Sequence, residues 1–244
     1  MTAPRFFLDP DALRGGRVHF PPEQSRQIAR VLRLEPGQAV FVLDNTGRIY
    51  TVRLERVHPR EVWGAIVGVE DAGGEPPLHV TLCVALLKGE RMDWVLQKGT
   101  ELGVSRFVPL MTARTVVRRS EKRPRWQRIL TEAAEQCGRA HIPEVADIVS
   151  FDEALAATAN TGPAFLAHNG EEVPRWREVA PALAERPNAV VLFVGPEGGF
   201  TEEEVALAAS RGVHIVHLGP RVLRAETAAI TLAALALHQW GDLG

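Results

Sequence analysis

The sequence contains little cysteine and little lysine, and it has no long apolar run. Cys83 and Cys137 are the only cysteines among 244 residues. Two isolated thiols make neither a disulfide framework nor a zinc pair, which suits a reducing cytoplasm. No stretch approaches the ~20 apolar residues that cross a bilayer. Met1-Thr2-Ala3-Pro4-Arg5 lacks the apolar core of a signal peptide, so neither a membrane nor secretion is expected. G-x-S-x-G, H-E-x-x-H and C-x-x-C are all missing, which removes a hydrolase elbow, a zinc protease and any expected metal. The rest is ordinary. Hydrophobic content of 45% and charged content of 24% exclude a largely disordered chain. The length fits one large or two modest domains that need no covalent staple.

Charge is unevenly placed. Residues 1–60 carry ten arginines against six acids, and residues 88–139 carry twelve bases against six acids. Residues 140–244 reverse this, with six bases against fourteen acids. Only Lys88, Lys98 and Lys122 are lysine among 28 bases. Arginine forks match phosphate geometry and stack on bases, so RNA is a natural partner for the basic half. A GC-rich genome would produce the same preference.

The stretch Asp71-Ala72-Gly73-Gly74-Glu75-Pro76-Pro77 reads as a linker. Before it, Gln38–Asp44, Arg48–Val57 and Glu61–Val69 read as short strands, with Asn45-Thr46-Gly47 as the first turn. A small β-barrel or β-rich module of about 70 residues follows from that spacing. After the linker, strands and helices alternate. His79–Leu87, Arg106–Leu110, Pro163–His168, Ala189–Val194 and Val213–Leu218 read as strands. Met92, Val95, Leu96, Gly99 and Leu102 share a helical face that stops at Gly103. Trp126, Ile129, Leu130, Ala133, Ala134 and Cys137 share another that stops at Gly138. Ala225–Trp240 closes the chain as a helix. Such alternation predicts an α/β fold with a parallel sheet. The domains expected are 1–72 and 73–244.

Two loops carry the most information. Gly195-Pro196-Glu197-Gly198-Gly199 follows a buried strand and leads into Thr201-Glu202-Glu203-Glu204, whose first and last residues have capping-box spacing. Glycines let a backbone approach a ligand at the carboxyl edge of a sheet. The three acids that follow would repel a polyphosphate, so the ligand should be neutral or cationic. Read alone, the loop fits a plain strand-to-helix turn equally well. The second loop, Leu218-Gly219-Pro220-Arg221-Val222-Leu223-Arg224-Ala225-Glu226-Thr227-Ala228, places two arginines and a glutamate between apolar neighbours. Burying them requires pairing; a solvated Arg–Glu pair at a helix start is the plainer alternative. The apolar helix beyond belongs in a core or a subunit interface. His168, at a strand end, is the one histidine near the expected ligand edge, where a structural role is the commoner one.

Together these loops resemble the ribosomal small subunit RNA methyltransferase E family. Lys88-Gly89-Glu90-Arg91-Met92 through Gln97-Lys98, Glu101-Leu102-Gly103-Val104, Glu132-Ala133-Ala134-Glu135-Gln136-Cys137-Gly138-Arg139 with Pro143-Glu144, and Arg30-Val31-Leu32-Arg33 with Pro36-Gly37 extend the resemblance over nearly the whole chain. Gln27 departs from the family, which often has histidine there.

The resemblance implies a SPOUT-type trefoil-knotted parallel-sheet methyltransferase domain behind a PUA-like β-barrel, with the knot and cofactor site near 165–240. It implies methylation of uridine N3 in 16S ribosomal RNA of the small subunit, S-adenosylmethionine as donor, and a homodimer. The implied cofactor residues are Leu166, Ala167, His168, Gly195, Pro196, Glu197, Gly198, Gly199, Leu218, Gly219, Leu223, Arg224, Ala225, Glu226, Thr227 and Ala228. Arg221 or Arg224 is expected to stabilise charge on the uracil, and Glu197 or Glu226 to take a proton or orient an arginine. Arg224 and Glu226 are equally suited to bracing the loop. RNA contacts are expected from Arg5, Arg30, Arg33, Lys88, Arg91, Lys98, Arg114, Arg118 and Arg119. The rival readings are a non-catalytic RNA-binding or ribosome-assembly factor, a SPOUT enzyme for another RNA, and a small-molecule methyltransferase or other metabolic enzyme.

Overall fold

A computed structural model describes residues 3–116, 123–170, 172–183 and 185–244. It divides into two compact units. One comprises residues up to Glu75 together with Ala134–Ile142; the other comprises Pro76–Ala133 and Pro143–Gly244. This departs from the contiguous split expected at 72/73. The linker is close to where the sequence places it, but the chain returns to the first unit at Ala134, a non-local event without a local signal.

The first unit is a six-stranded sheet. Its strands are β1 (Arg5–Phe7), β2 (Leu13–Arg14), β3 (Arg17–Phe20), β4 (Ala39–Leu43), β5 (Arg48–His58) and β6 (Glu61–Asp71), in the order β1-β4-β5-β6-β3-β2. A short helix α1 (Pro22–Arg26) runs into a wide turn at Gln27–Val31. Alternation does the folding work: in β3 Val18 and Phe20 are buried while Arg17 and His19 are exposed. The inward residues form one core, including Phe6, Val18, Val40, Val52 and Val62. The rings of Phe6 and Phe20, on strands well separated in sheet order, meet edge to face at 5.6 Å, so the sheet is rolled upon itself. Asn45 adopts a left-handed φ of 64° and Gly47 one of 89° in the β4–β5 turn. Its Asp44 carboxylate accepts from the Thr46 amide and hydroxyl and from Tyr50. Outside the sheet, Ala134 and Ile142 of the returning segment pack with Phe7, Leu43 and Ile49. Arg139, almost fully buried, is held by Glu75 at 2.7 Å, and the same carboxylate accepts from the amides of Ala140 and His141.

The second unit is a wholly parallel sheet of β7 (His79–Ala85), β8 (Arg106–Met111), β9 (Glu144–Val145), β10 (Val149–Ser150), β11 (Ala164–Ala167), β12 (Ala189–Val194) and β13 (His214–Val216). The order is β10-β8-β7-β12-β11-β13, with β9 also on β8. Helices α2 (Arg91–Leu102), α3 (Arg123–Cys137), α4 (Phe151–Thr158), α5 (Trp176–Val179) and α6 (Glu202–Ser210) connect the strands, the end of α3 counting with the first unit, and α7 (Ala225–Trp240) follows the last strand. β7 and β12 are buried almost end to end, as a central parallel strand covered on both faces must be. One core joins Cys83, Leu110, Phe151, Leu166, Phe193 and Phe200. On the other side α7 packs on α2, β7 and β12, and Trp240 closes an aromatic cluster with Phe165 and Trp176 at 5.7 and 5.5 Å. Gly103 caps α2 with a φ of 114°, where the sequence places the stop.

Candidate functional site

β11, β12 and β13 lie side by side, so the loops leaving their carboxyl ends converge on one rim. Between them is a cleft of about 580 Å3, the size of a small-molecule site. The loop after β11 supplies Ala167, His168 and Asn169; the loop after β12 supplies Gly195 to Phe200; the loop after β13 supplies Leu218 and Arg221 to Ala225, with Ala228 from the first turn of α7.

Local chemistry fixes each loop. After β12 the Gly199 amide bonds back to the Pro196 carbonyl at 2.8 Å, closing a turn in which Gly199 has a φ of 70°. Arg114 holds that turn from outside, donating to the carbonyls of Gly198 at 2.8 Å and Phe200 at 3.3 Å. Thr201 and Glu204 form the expected reciprocal capping box and start α6. Glu204 also accepts from the Ala113 amide at 2.8 Å. After β13 the His217 ring contacts the backbone of Gly219, and α7 starts immediately beyond Arg224.

One arginine bridges two of the loops. Arg91 at the start of α2 bonds Glu197 at 2.8 Å and lies 3.7 Å from Glu226. Glu197 also accepts from the Lys88 amide at 3.4 Å. Burial pushes the Glu197 carboxyl up, but amide hydrogen bonds and the Arg91 guanidinium outweigh it and hold the group below its ordinary range. The second carboxylate oxygen of Glu226 is buried with no hydrogen-bond partner among the described residues. Arg221 and Arg224 are exposed, and neither has a carboxylate partner among the described residues.

The expected residues separate accordingly. Ala167, His168, Gly195, Pro196, Glu197, Gly198, Gly199, Leu218, Arg221, Leu223, Arg224, Ala225 and Ala228 line the cleft. Leu166 is fully buried in the core beneath it, and Gly219, Glu226 and Thr227 lie off its wall. Of the expected RNA contacts, Arg91 and Arg114 line the cleft, bound to Glu197 and to loop carbonyls. Lys98 is tied to Glu101 at 2.8 Å, and Arg5 lies over the Phe41 ring at 6.0 Å. Arg30, Arg33 and Lys88 are exposed. Arg118 and Arg119 lie outside the described residues. Asn169, Val194, Phe200 and Val222 also line the cleft and were not anticipated. Asn169 directly follows His168, so extending that loop by one residue would have found it; the Arg91–Glu197 pair spans 106 positions and leaves no sequence trace.

The cleft suits a nucleoside sulfonium. Ala167, Val194, Leu218 and Leu223 offer apolar walls for a purine, and the glycine turn brings backbone into reach. Three acids in the first turn of α6 oppose a polyphosphate.

Comparison with known proteins agrees with this chemistry. Residues 74–237 match the model of an RNA methyltransferase domain, and residues 20–67 that of an RNA methyltransferase PUA domain. Fold and site thus define the RNA methyltransferase class. Ribosomal RNA small subunit methyltransferase E of Synechocystis is 36% identical over 93% of this chain and 75% of its own. That of Bacillus subtilis is 31% identical over 89% and 88%. The crystal structure of ribosomal RNA small subunit methyltransferase E from Neisseria gonorrhoeae bound to S-adenosyl methionine superposes with a TM-score of 0.88, at 33% identity and full coverage of both chains. The chain belongs to the ribosomal RNA small subunit methyltransferase E family.

Proposed function

We propose that this protein methylates N3 of a uridine in 16S ribosomal RNA, using S-adenosylmethionine, in the cytoplasm. The observation that carries the reading is the three-loop cleft at the ends of β11, β12 and β13, lined by the glycine turn, by apolar side chains and by Arg91, Arg114, Arg221 and Arg224. Family membership supports the RNA substrate, and the family resemblance supplies the small-subunit uridine N3. The same resemblance supports a trefoil knot through the loops of the second unit and a homodimer. Ile230, Thr231, Ala234 and Leu235 on α7 are only half-buried, leaving a mostly apolar face for a second subunit.

Ala167, His168, the 195–199 turn, Leu218 and Leu223 would hold the donor. S-adenosylmethionine, when bound, supplies an electrophilic methyl on a cationic sulfur. The protein's task is to prepare the nucleophile. Neutral uridine N3 carries a proton; removing it leaves negative charge on N3, O2 and O4. Arg221 and Arg224 are placed on the rim to offset that charge. Glu197, held ionised by backbone amides and by Arg91, is a weak base and serves to fix Arg91 and the loop. Glu226 lies beside the same arginine but off the cleft wall, so it serves to orient Arg91.

The direct test maps methyl groups by mass in small-subunit RNA from cells lacking the protein, with and without complementation. Loss and restoration of one methyluridine is expected; an unchanged map refutes the assignment. Arg224→Ala should lower turnover and leave affinity for the demethylated donor near normal. A large affinity loss with normal saturated turnover would reject the catalytic role of Arg224.

A further inference from the structure

The outer face of the rolled sheet carries a basic and aromatic patch that sequence reasoning did not single out. Register places its residues in two adjacent rows. Arg17 of β3 pairs with Ala65 of β6, which pairs with Arg53 of β5. His19 of β3 pairs with Trp63 of β6, which pairs with Arg56 of β5. Strand alternation turns both rows outward: Val18, Gly64 and Leu54 between them are buried, whereas Arg17, His19, Arg53 and Arg56 are exposed. The Arg17 guanidinium lies 4.9 Å from the centre of the half-buried Trp63 ring, and the His19 ring is stacked 6.3 Å from it. Glu61 neutralises Arg56 at 2.7 Å. Arg17 and Arg53 have no ion-pair partner among the described residues, and although Glu55 is exposed at the bulge between Arg53 and Arg56, the patch keeps a net positive charge.

Resting on the RNA-modifying reading, we propose that this face binds a single-stranded segment of the RNA substrate, with a base stacked at Trp63 and its phosphates against Arg17 and Arg53. An indole set among arginines has the composition of a sequence-tolerant single-strand platform, in which stacking supplies affinity and guanidinium groups track the backbone. Ala65 supports the assignment, because a small side chain between the two arginines leaves room for a sugar–phosphate strand.

The test uses the full chain and a fluorescein-labelled oligouridine, read by anisotropy across a salt series, with calorimetry of S-adenosylhomocysteine as the control. Trp63→Ala is expected to weaken RNA binding roughly 5- to 150-fold. Trp63→Phe should restore most of the loss, and cofactor affinity should stay unchanged in both. Arg17→Gln with Arg53→Gln should flatten the logarithmic salt slope by about 1.4, two single-strand phosphate contacts. This double variant also covers the case in which Trp63→Ala does not fold, since both arginines are exposed. Wild-type affinity and slope in the folded variants would overturn the proposal, as would failure of the wild-type chain to bind the probe. Neither result touches the methyl map, so loss of this surface and loss of the enzymatic reading are separable.

Discussion

The three glycines of the 195–199 turn differ in what holds them, and alanine at each should differ in consequence. At Gly195 a Cβ would lie 3.1 Å from the Gly199 carbonyl carbon, from the Phe200 ring and from the Phe200 nitrogen. Two of those neighbours are backbone, and Phe200 is buried in the core beneath, so the turn itself must shift. Overpacking of this kind costs roughly 1–3 kcal/mol. At Gly199 there is open space, but φ is 70°, where an L side chain costs roughly 1–2 kcal/mol. At Gly198 a Cβ would meet only the Arg114 side chain at 3.4 Å, an ordinary van der Waals contact, so the cost is near zero. With about 2–4 °C of melting temperature per kcal/mol in a protein this size, Gly195→Ala and Gly199→Ala should each lower the unfolding transition of the second unit by several degrees. Gly198→Ala should leave it in place. Scanning calorimetry gives the order, and titration with S-adenosylhomocysteine should follow it, because a displaced turn misplaces its amides. If Gly198→Ala proved the most destabilising in the absence of ligand, the steric reasoning would be wrong.

Other outcomes follow from single contacts. Arg114→Ala removes two hydrogen bonds to the glycine turn; a partly exposed charged pair of bonds suggests about 1 kcal/mol, or about fivefold weaker cofactor binding, with the RNA salt slope unchanged. A slope change with normal cofactor affinity would return Arg114 to the RNA surface. Glu197, held below its ordinary 4.5 in the folded state, stabilises the fold above that pH, and the contribution disappears as pH falls through the lowered value. Glu197→Gln should therefore flatten the acid limb of the melting-temperature profile; an unaltered limb refutes the pairing. Cys83 is buried, and desolvation pushes its thiol far above the usual range, whereas Cys137 is exposed. A thiol reagent at neutral pH should modify one cysteine in the native protein and two after denaturation, and two native reactions would contradict the buried position of β7.

Legibility in the sequence followed locality. β12 and α7 have the bounds that Ala189–Val194 and Ala225–Trp240 suggest, because continuous burial and helical composition are written within each segment. The Thr201–Glu204 cap and the Gly103 stop are equally local. Several short strands escaped notice: β1, β9 and β10 are defined by partners distant in the chain, and β2 and β3 form a hairpin of only two and four residues. The cleft divides in the same way. Its loops were legible because glycines and a cap punctuate them, whereas the turning of Arg91 and Arg114 toward those loops depends on how β7, β8 and β12 lie together. The outward rows of β3, β5 and β6 needed the register, which two irregularities in the β5–β6 pairing, at Val67 and at Glu55, shift beyond what simple alternation foretells.

The return of Ala134–Ile142 to the first unit bears on the order of synthesis. When a ribosome has finished residue 75, Phe7, Leu43 and Ile49 have no cover, because Ala134 and Ile142 do not yet exist. At roughly 5–20 residues per second, the nascent chain waits roughly 3–13 s before its N-terminal portion can be completed. During that interval it offers an apolar strip to chaperones, and a gene fragment stopped at the linker would keep that strip permanently.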